Sequence, residues 1–240
     1  MVPGLNVRRR GDVLDLVLDD PEHGNLVTEE MGAAMAAALG DVGPDVKLVR
    51  LTGEGPDFCR GRKSPPIDRA TATAMDFRSV IAAGPLRLYG AFRDCPAPIL
   101  GVVQGKALGV GCALAGMCDL TVAGDDATFA LPEMNHNIPP TLVISALADR
   151  VPYKTLSHLV LLRDPITADE AKTAGLVGQV VPRADLDAAS AKTEASVLEC
   201  TAAALQGVKE FMRSAASLDP GARTSLASSL IATVQASQGR

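Results

Sequence analysis

The chain has 240 residues, 47% hydrophobic and 21% charged, which is enough for a full core in one domain with a helical appendage or in two small domains, and no apolar run is long enough to span a bilayer. A net charge of −5 excludes a basic field for nucleic acid, and the only basic run, Arg8-Arg9-Arg10, reads as a solvated strand end. Five scattered cysteines, three histidines and no CxxC leave little to build a metal site or a disulfide framework on; with no apolar signal-peptide core at the start, reduced thiols in a cytoplasm are expected.

Leu5–Arg10 and Val13–Leu18 are predicted strands around a turn at Gly11-Asp12, followed by a loop over 19–25. Thr28 is a predicted N-cap for a helix with Met31, Met35, Ala38 and Leu39 at core spacing, stopping at 40–43. Residues 46–51 read as the next strand. A turn-rich loop over 52–57 leads to Phe58-Cys59-Arg60-Gly61-Arg62-Lys63 and then Ser64-Pro65-Pro66, where the prolines forbid a helix. A long helical region is predicted over 68–93, carrying Met75, Phe77, Val80, Ile81, Leu86 and Leu88, with a kink or split at Gly84-Pro85.

Ile99–Val103 reads as a buried strand, 104–106 as a turn, and 108–118 as a tightly packed helix of small apolar residues with no charge until Asp119. A strand over 120–123, a turn at 124–126 and a short strand Thr128–Ala130 run into Leu131-Pro132-Glu133. Helices are predicted over 141–149, behind Pro139-Pro140, and from Pro152 to 162, with Pro152 in the first turn. Thr167 caps a third, with Glu170 completing a capping box and Gly175 as the stop. Strand returns over 177–181. From 184 onward the chain reads as helices only, broken near Gly207 and at 219–221. Strands alternating with helices, then an all-helical tail, specify an α/β fold with a C-terminal helical extension.

A strand feeding a Gly-rich helix start, as at 99–111, aims backbone N–H groups at negative charge. Nucleotide readings fail there. Lys106 is followed by Ala107, with Leu100 where a Walker A glycine belongs, and Gly109-Val110-Gly111 lacks the third glycine of a dinucleotide fingerprint. No GxSxG motif supports a Ser-His-Asp triad.

Four motifs then fall in one order. Residues 58–62, FCRGR, are similar to an FxxGxD loop; 105–112, GKALGVGC, resemble an NGxxxGGGxE helix start. Cys118-Asp119 with Phe129, Pro132 and Glu133 looks like CDxxxA…F…PE, and 166–177, ITADEAKTAGLV, is close to a helix ending in GLV. In this order, from about residue 5 to 235, they resemble the crotonase family, which includes enoyl-CoA hydratases and isomerases. The resemblance implies an α/β crotonase-like spiral of ββα repeats over 1–182 and a C-terminal helical trimerisation region over 183–240. A homotrimer or dimer of trimers is then expected. The implied substrate is an acyl-CoA thioester, with coenzyme A carried as part of it and no separate cofactor. The backbone N–H groups of Arg62 and Val110 would hold the thioester oxygen as an enolate forms, and Glu133 would be the acid/base. Neither donor needs a particular side chain, and the helix dipole adds favourable field at Val110. Arg60 and Lys63 read as solvated loop charges or as contacts to CoA phosphates, with Gly61 and Gly109 beside them in the CoA-binding motifs.

The departures shape the expected reaction. Family hydratases use two glutamates; the second maps to Glu133, but the first falls on Ala113, whose methyl group transfers no proton. One base can remove a proton at C2 and return it at C4, so double-bond isomerisation is favoured over hydration. Lys63 stands where the loop usually has Asp, Asn135-His136-Asn137 replaces an apolar and Gly stretch, and Pro139-Pro140-Thr141-Leu142 replaces a Gly-rich helix start, so the pocket wall is altered and more polar. The alternatives are a hydrolase or decarboxylase of a β-dicarbonyl or acid-bearing substrate, with His136 assisting, and a non-catalytic scaffold of the same fold. No counterpart of the family's closing EGxxAFxEKRxP segment, which helps hold CoA, precedes the end at Gly239-Arg240.

Overall fold

A computed structural model describes residues 2–238, so the closing Gly239-Arg240 lies outside the described residues. β1 (Leu5–Arg10) and β2 (Val13–Leu18) form an antiparallel hairpin with Leu5 opposite Leu18 and Arg10 opposite Val13. The three arginines of the basic run face carboxylates: Arg8 and Arg10 share the buried Asp15, Arg10 also holds Glu194, and Arg9 holds Asp45. α1 (Glu29–Gly40) starts where Thr28 accepts a hydrogen bond from the Met31 N–H, and it buries Met31, Met35 and Leu39. β3 is Leu48–Gly53, two residues later than expected. The N–H groups of Val46 and Lys47 are taken by the Gly43 and Asp12 carbonyls, and parallel pairing with β2 begins at Leu48.

The predicted helix over 68–93 is in fact three pieces. Asp68 closes a turn onto Ala70 and Thr71, and a Thr73–Asp76 capping box then opens α2 (Ala74–Phe77). A π-helical segment, Arg78–Ala82, links it to α3 (Ala83–Asp94), which runs straight through Gly84-Pro85. Pro85 has no N–H to offer the Ile81 carbonyl four residues back. The Arg62 guanidinium donates to that carbonyl instead, at 2.7 Å. The inward stripe is Pro85, Leu88, Tyr89 and Phe92, whereas Met75, Val80 and Leu86 are exposed.

β4 (Ile99–Val103) is buried throughout because both its faces are covered. Ile99 and Val103 join the main core, and Leu100 and Val102 join a second cluster with Val13, Leu48, Val122 and Leu186. β5 (Lys106–Leu108) replaces the expected turn residue Lys106 and leads through Gly109 into α4 (Val110–Met117), every residue of which is buried. β6 (Leu120–Gly124) and β7 (Thr128–Ala130) follow, then a tight 3-10 turn, Pro132–His136. α5 (Thr141–Leu147) is shorter than expected, and α6 (Tyr153–Ser157) passes into a π-helical segment, His158–Leu162, with Pro152 just before it as the cap. β8 (Ile166–Thr167) leads into α7 (Ala168–Thr173), which has the expected Thr167–Glu170 capping box. β9 (Gln179–Val181) and the helices α8 (Leu186–Leu198), α9 (Ala202–Ala215) and α10 (Pro220–Gln238) complete the chain. The expected break near Gly207 is absent. α9 runs through it with Val234 of α10 close against it, and the break falls before Thr201, whose side chain caps α9.

The main sheet has the order β1-β2-β3-β4-β6-β9, parallel from β2 onward, and a smaller sheet has the order β5-β7-β8. Each new strand of the main sheet lies beside the previous one without reversal. This is the advance of a spiral of ββα repeats, and it lacks the switch point of a doubly wound sheet. α8 covers the outer face of the sheet through Leu186. α9 is fastened to the body by Lys209, which donates to Asp119 at 2.8 Å and to the Ala97 carbonyl at 2.8 Å. Both charges are nearly buried, and Asp119 also accepts from the Ile99 N–H. Removing one partner of such a pair strands the other, so Lys209→Ala is expected to lower the unfolding free energy by about 3 kcal/mol. A urea midpoint equal to that of the wild type at unchanged slope would contradict this.

Candidate active site

The segment 58–63 is held between two neighbours. Its Cys59 pairs with β5: Cys59 N–H donates to the Lys106 carbonyl at 3.0 Å and the Leu108 N–H to the Cys59 carbonyl at 2.9 Å. At Gly61, φ is +129°, a region L side chains rarely adopt, and the segment changes edge there. The Val27 N–H then donates to the Gly61 carbonyl and the Lys63 N–H to the Val27 carbonyl, both at 3.0 Å. Arg62, between them, is left with its N–H facing away from Val27. That backbone N–H makes no hydrogen bond among the described residues.

β4 and β5 deliver the chain to Gly109, whose φ of 52° and ψ of −114° make the sharp turn into α4. Val110 is the first helical residue, so its N–H has no partner inside the helix, and none elsewhere among the described residues. Arg62 and Val110 line one narrow recess with Val27, Glu29, Pro85 and Leu88. Its free volume is about 10 Å³, room for the centre of about one water. The Arg62 side chain is spoken for: Glu29 accepts from it at 2.9 Å, and Ile81 takes its other nitrogen.

Glu133 sits in the turn that Pro132 opens after β7. Its Oε1 lies 2.7 Å from where a Cβ on Gly109 would stand, so only glycine lets this carboxylate come against the start of α4. Its Oε2 is buried without a hydrogen-bond partner. Burial pushes the carboxyl above its ordinary range, offset in part by its own backbone N–H. Ala113, fully buried one turn into α4, brings no second carboxylate.

Of the other sequence candidates, Gly61 is buried, Arg60 is exposed and faces Asp57 at 3.8 Å, and Lys63 is exposed. His136 is exposed at the end of its turn, where Asn137 at φ 55° carries the chain outward; neither it nor Glu133 lines the recess, but Glu133 Oε2 is buried. The residues that sequence reasoning missed are Glu29 and Tyr89. Glu29 orders the Arg62 guanidinium, and its position in the first turn behind Thr28 carried no sign of that. Tyr89 is buried with its hydroxyl unpartnered. Its signal was present as a phenol in the stripe Pro85, Leu88, Tyr89, Phe92, where a purely apolar ring would have packed without a polar atom to satisfy. Four of the five cysteines are buried and all are free; burial pushes the Cys59 and Cys112 thiols up to about 12.

A spiral of parallel strands that ends each repeat at a helix start is the crotonase fold, and solved structures agree. An enoyl-CoA hydratase of Mycobacterium smegmatis superposes with a TM-score of 0.89 at 28% identity, covering 97% of this chain and 91% of that one. A Thermobifida fusca structure solved in complex with acetoacetyl-CoA superposes with a TM-score of 0.87 at 27% identity, covering 98% and 95%. The family described as enoyl-CoA hydratase/isomerase matches residues 8–238, and the chain belongs to it. EchA19, an enoyl-CoA hydratase of Mycobacterium tuberculosis, is 32% identical over 75% of this chain and 69% of its own length. The mouse enoyl-CoA hydratase domain-containing protein 3, mitochondrial, is 28% identical over 76% of this chain, which spans 61% of that relative's length.

Proposed function

We propose that this protein binds an acyl-CoA thioester and moves a double bond along its acyl chain. The Arg62 and Val110 N–H groups receive the thioester oxygen as it becomes an enolate. Glu133, ionised, takes a proton from C2 and returns it at C4. The observation that carries this reading is Glu133 itself: a buried carboxylate oxygen without a partner, beside a helix start whose first N–H is free. Fully buried Ala113 supports isomerisation over hydration, because water addition needs a second group to activate or deliver the water. The Arg62 guanidinium already has its charge paired with Glu29 and a bond to the Ile81 carbonyl, which weighs against an acid-bearing substrate. The complex of the Thermobifida fusca relative with acetoacetyl-CoA supports the substrate class. A trimer fits the family.

The test is the pH dependence of kcat/KM on a 3-enoyl-CoA. A base works only when ionised, so activity is lost as pH falls through the Glu133 pKa. Since burial raises that pKa, the loss is expected above the ordinary carboxylate value of about 4.3. An acid limb at or below that value would contradict the assignment.

A further inference from the structure

Among the described residues, two buried side-chain oxygens lack a hydrogen-bond partner: Tyr89 Oη and Glu133 Oε2. One is a donor, the other an acceptor. Tyr89 is 1% exposed and stands on the wall of α3 that also supplies Pro85 and Leu88 to the recess of Arg62 and Val110. Had this position been needed for packing alone, phenylalanine would fill it without a stranded hydroxyl, as Phe92 does nearly one turn further on. The groups acting on the phenol are those of the site: Glu133 foremost among the charges, then Arg62, Cys59 and Cys112. Cys112, next to the carboxylate-less Ala113, feels Glu133 as well.

We propose that Tyr89 is a positioning residue for Glu133: the two oxygens are unpaired in this structure, and with substrate in the site the phenol hydroxyl donates to the ionised carboxylate. This rests on the reading of Glu133 as the acid/base. Tyr89 takes no proton from substrate. Burial and the Glu133 charge push its phenol well above the ordinary range, so it stays a donor throughout. Donation to the ionised form opposes the effect of burial on Glu133 and fixes which oxygen faces the substrate.

Two exposed histidines stand nearest by element: His136 on Glu133's own turn and His158 on the π-helical segment packed against that turn. α1 brings Glu29, tied to Arg62 and Arg87, and the exposed Glu30. α3 brings Arg87, Arg93 and Asp94; α5 brings no charged residue, and α4 only Cys112. The Cys59 and Cys112 thiols, pushed up to about 12, stay neutral through the range where Glu133 titrates.

The experiment is Tyr89→Phe, assayed on a 3-enoyl-CoA across pH, with Glu133 titrated in parallel by carboxyl carbon-13 NMR of the substrate-bound-analogue complex. The expected result is kcat lower by about 10- to 100-fold at near-unchanged KM. The acid limb and the NMR titration are both expected to move up by about one pH unit. A limb and titration in their wild-type places would overturn the proposal, whatever the change in rate. Glu133→Gln separates the two readings. If that variant keeps its turnover, the acid–base role fails by itself, and the NMR titration still decides the Tyr89 contact. Were Tyr89→Phe to fold poorly, 3-fluorotyrosine incorporation replaces it. Only Tyr89 and the exposed Tyr153 are labelled, and the stronger donor is expected to move the limb to lower pH; no movement overturns the proposal.

Discussion

Glu133→Gln is expected to lower kcat/KM on a 3-enoyl-CoA by about 10²- to 10⁴-fold, the share that a positioned proton-transfer group supplies. Glutamine keeps the length and shape of the side chain, so the turn opened by Pro132 and the contact with Gly109 should survive. What is lost is the ability to accept a proton. Because the amide cannot ionise, the acid limb should vanish along with the activity. Turnover within a few-fold of wild type would show that some other group moves the proton. Gly109→Ala is expected to mimic part of this effect without touching Glu133. Its φ of 52° disfavours any L side chain, and the added Cβ would press on Oε1.

Val110→Pro is expected to cost about 10²- to 10³-fold in kcat, the usual consequence of deleting one donor to a developing oxyanion. Most backbone donors cannot be deleted without breaking the structure that holds them. This one can, because Val110 is the first residue of α4 and proline is well tolerated at a first helical position. The N–H removed is one that the helix itself does not use. Val110→Ala, which trims the side chain and keeps the N–H, should retain most of the turnover. Equal losses in the two variants would assign the effect to packing against the recess and remove Val110 from the oxyanion site. Circular dichroism and a thermal midpoint near wild type would show that α4 is intact in both.

Features set by near neighbours could be read from the sequence. Thr28 and the Thr167–Glu170 pair cap their helices as expected, because a cap is a contact across three residues. The unbroken apolar run of β4 marks a strand covered on both faces, and α8 and α4 do cover it. Pro85 shows the limit. The sequence points to Gly84-Pro85 as the irregularity, yet the backbone departs upstream, at Arg78–Ala82, because the missing N–H belonged to a carbonyl four residues earlier. That Arg62 fills the vacated acceptor depends on two segments nineteen residues apart meeting in space. The pair Lys209–Asp119 is more distant still, and nothing local announces it. Of the apolar residues in 68–93, Met75, Val80 and Leu86 are exposed; the register of Pro85, Leu88, Tyr89 and Phe92 decides the buried face. The site followed the same rule. The motifs offered Glu133, Arg62 and Val110 as candidates, whereas Tyr89 and Glu29 became visible only once α1 and α3 were in place. His136, attractive as a spare proton carrier beside Glu133 in sequence, lies exposed outside the recess.

We propose that a single carboxylate, Glu133, with fully buried Ala113 in place of a second one, makes this member of the family a mover of double bonds. The direct measurement is the ratio of kcat/KM on a 3-enoyl-CoA and a 2-enoyl-CoA of the same chain length, with products identified by mass and by conjugated-thioester absorbance. The expected result is conversion of the 3-enoyl ester to its 2-enoyl isomer, with 3-hydroxyacyl product from the 2-enoyl ester slower by about 10²-fold or more. Rapid hydration of the 2-enoyl ester with no isomerisation of the 3-enoyl ester would contradict it.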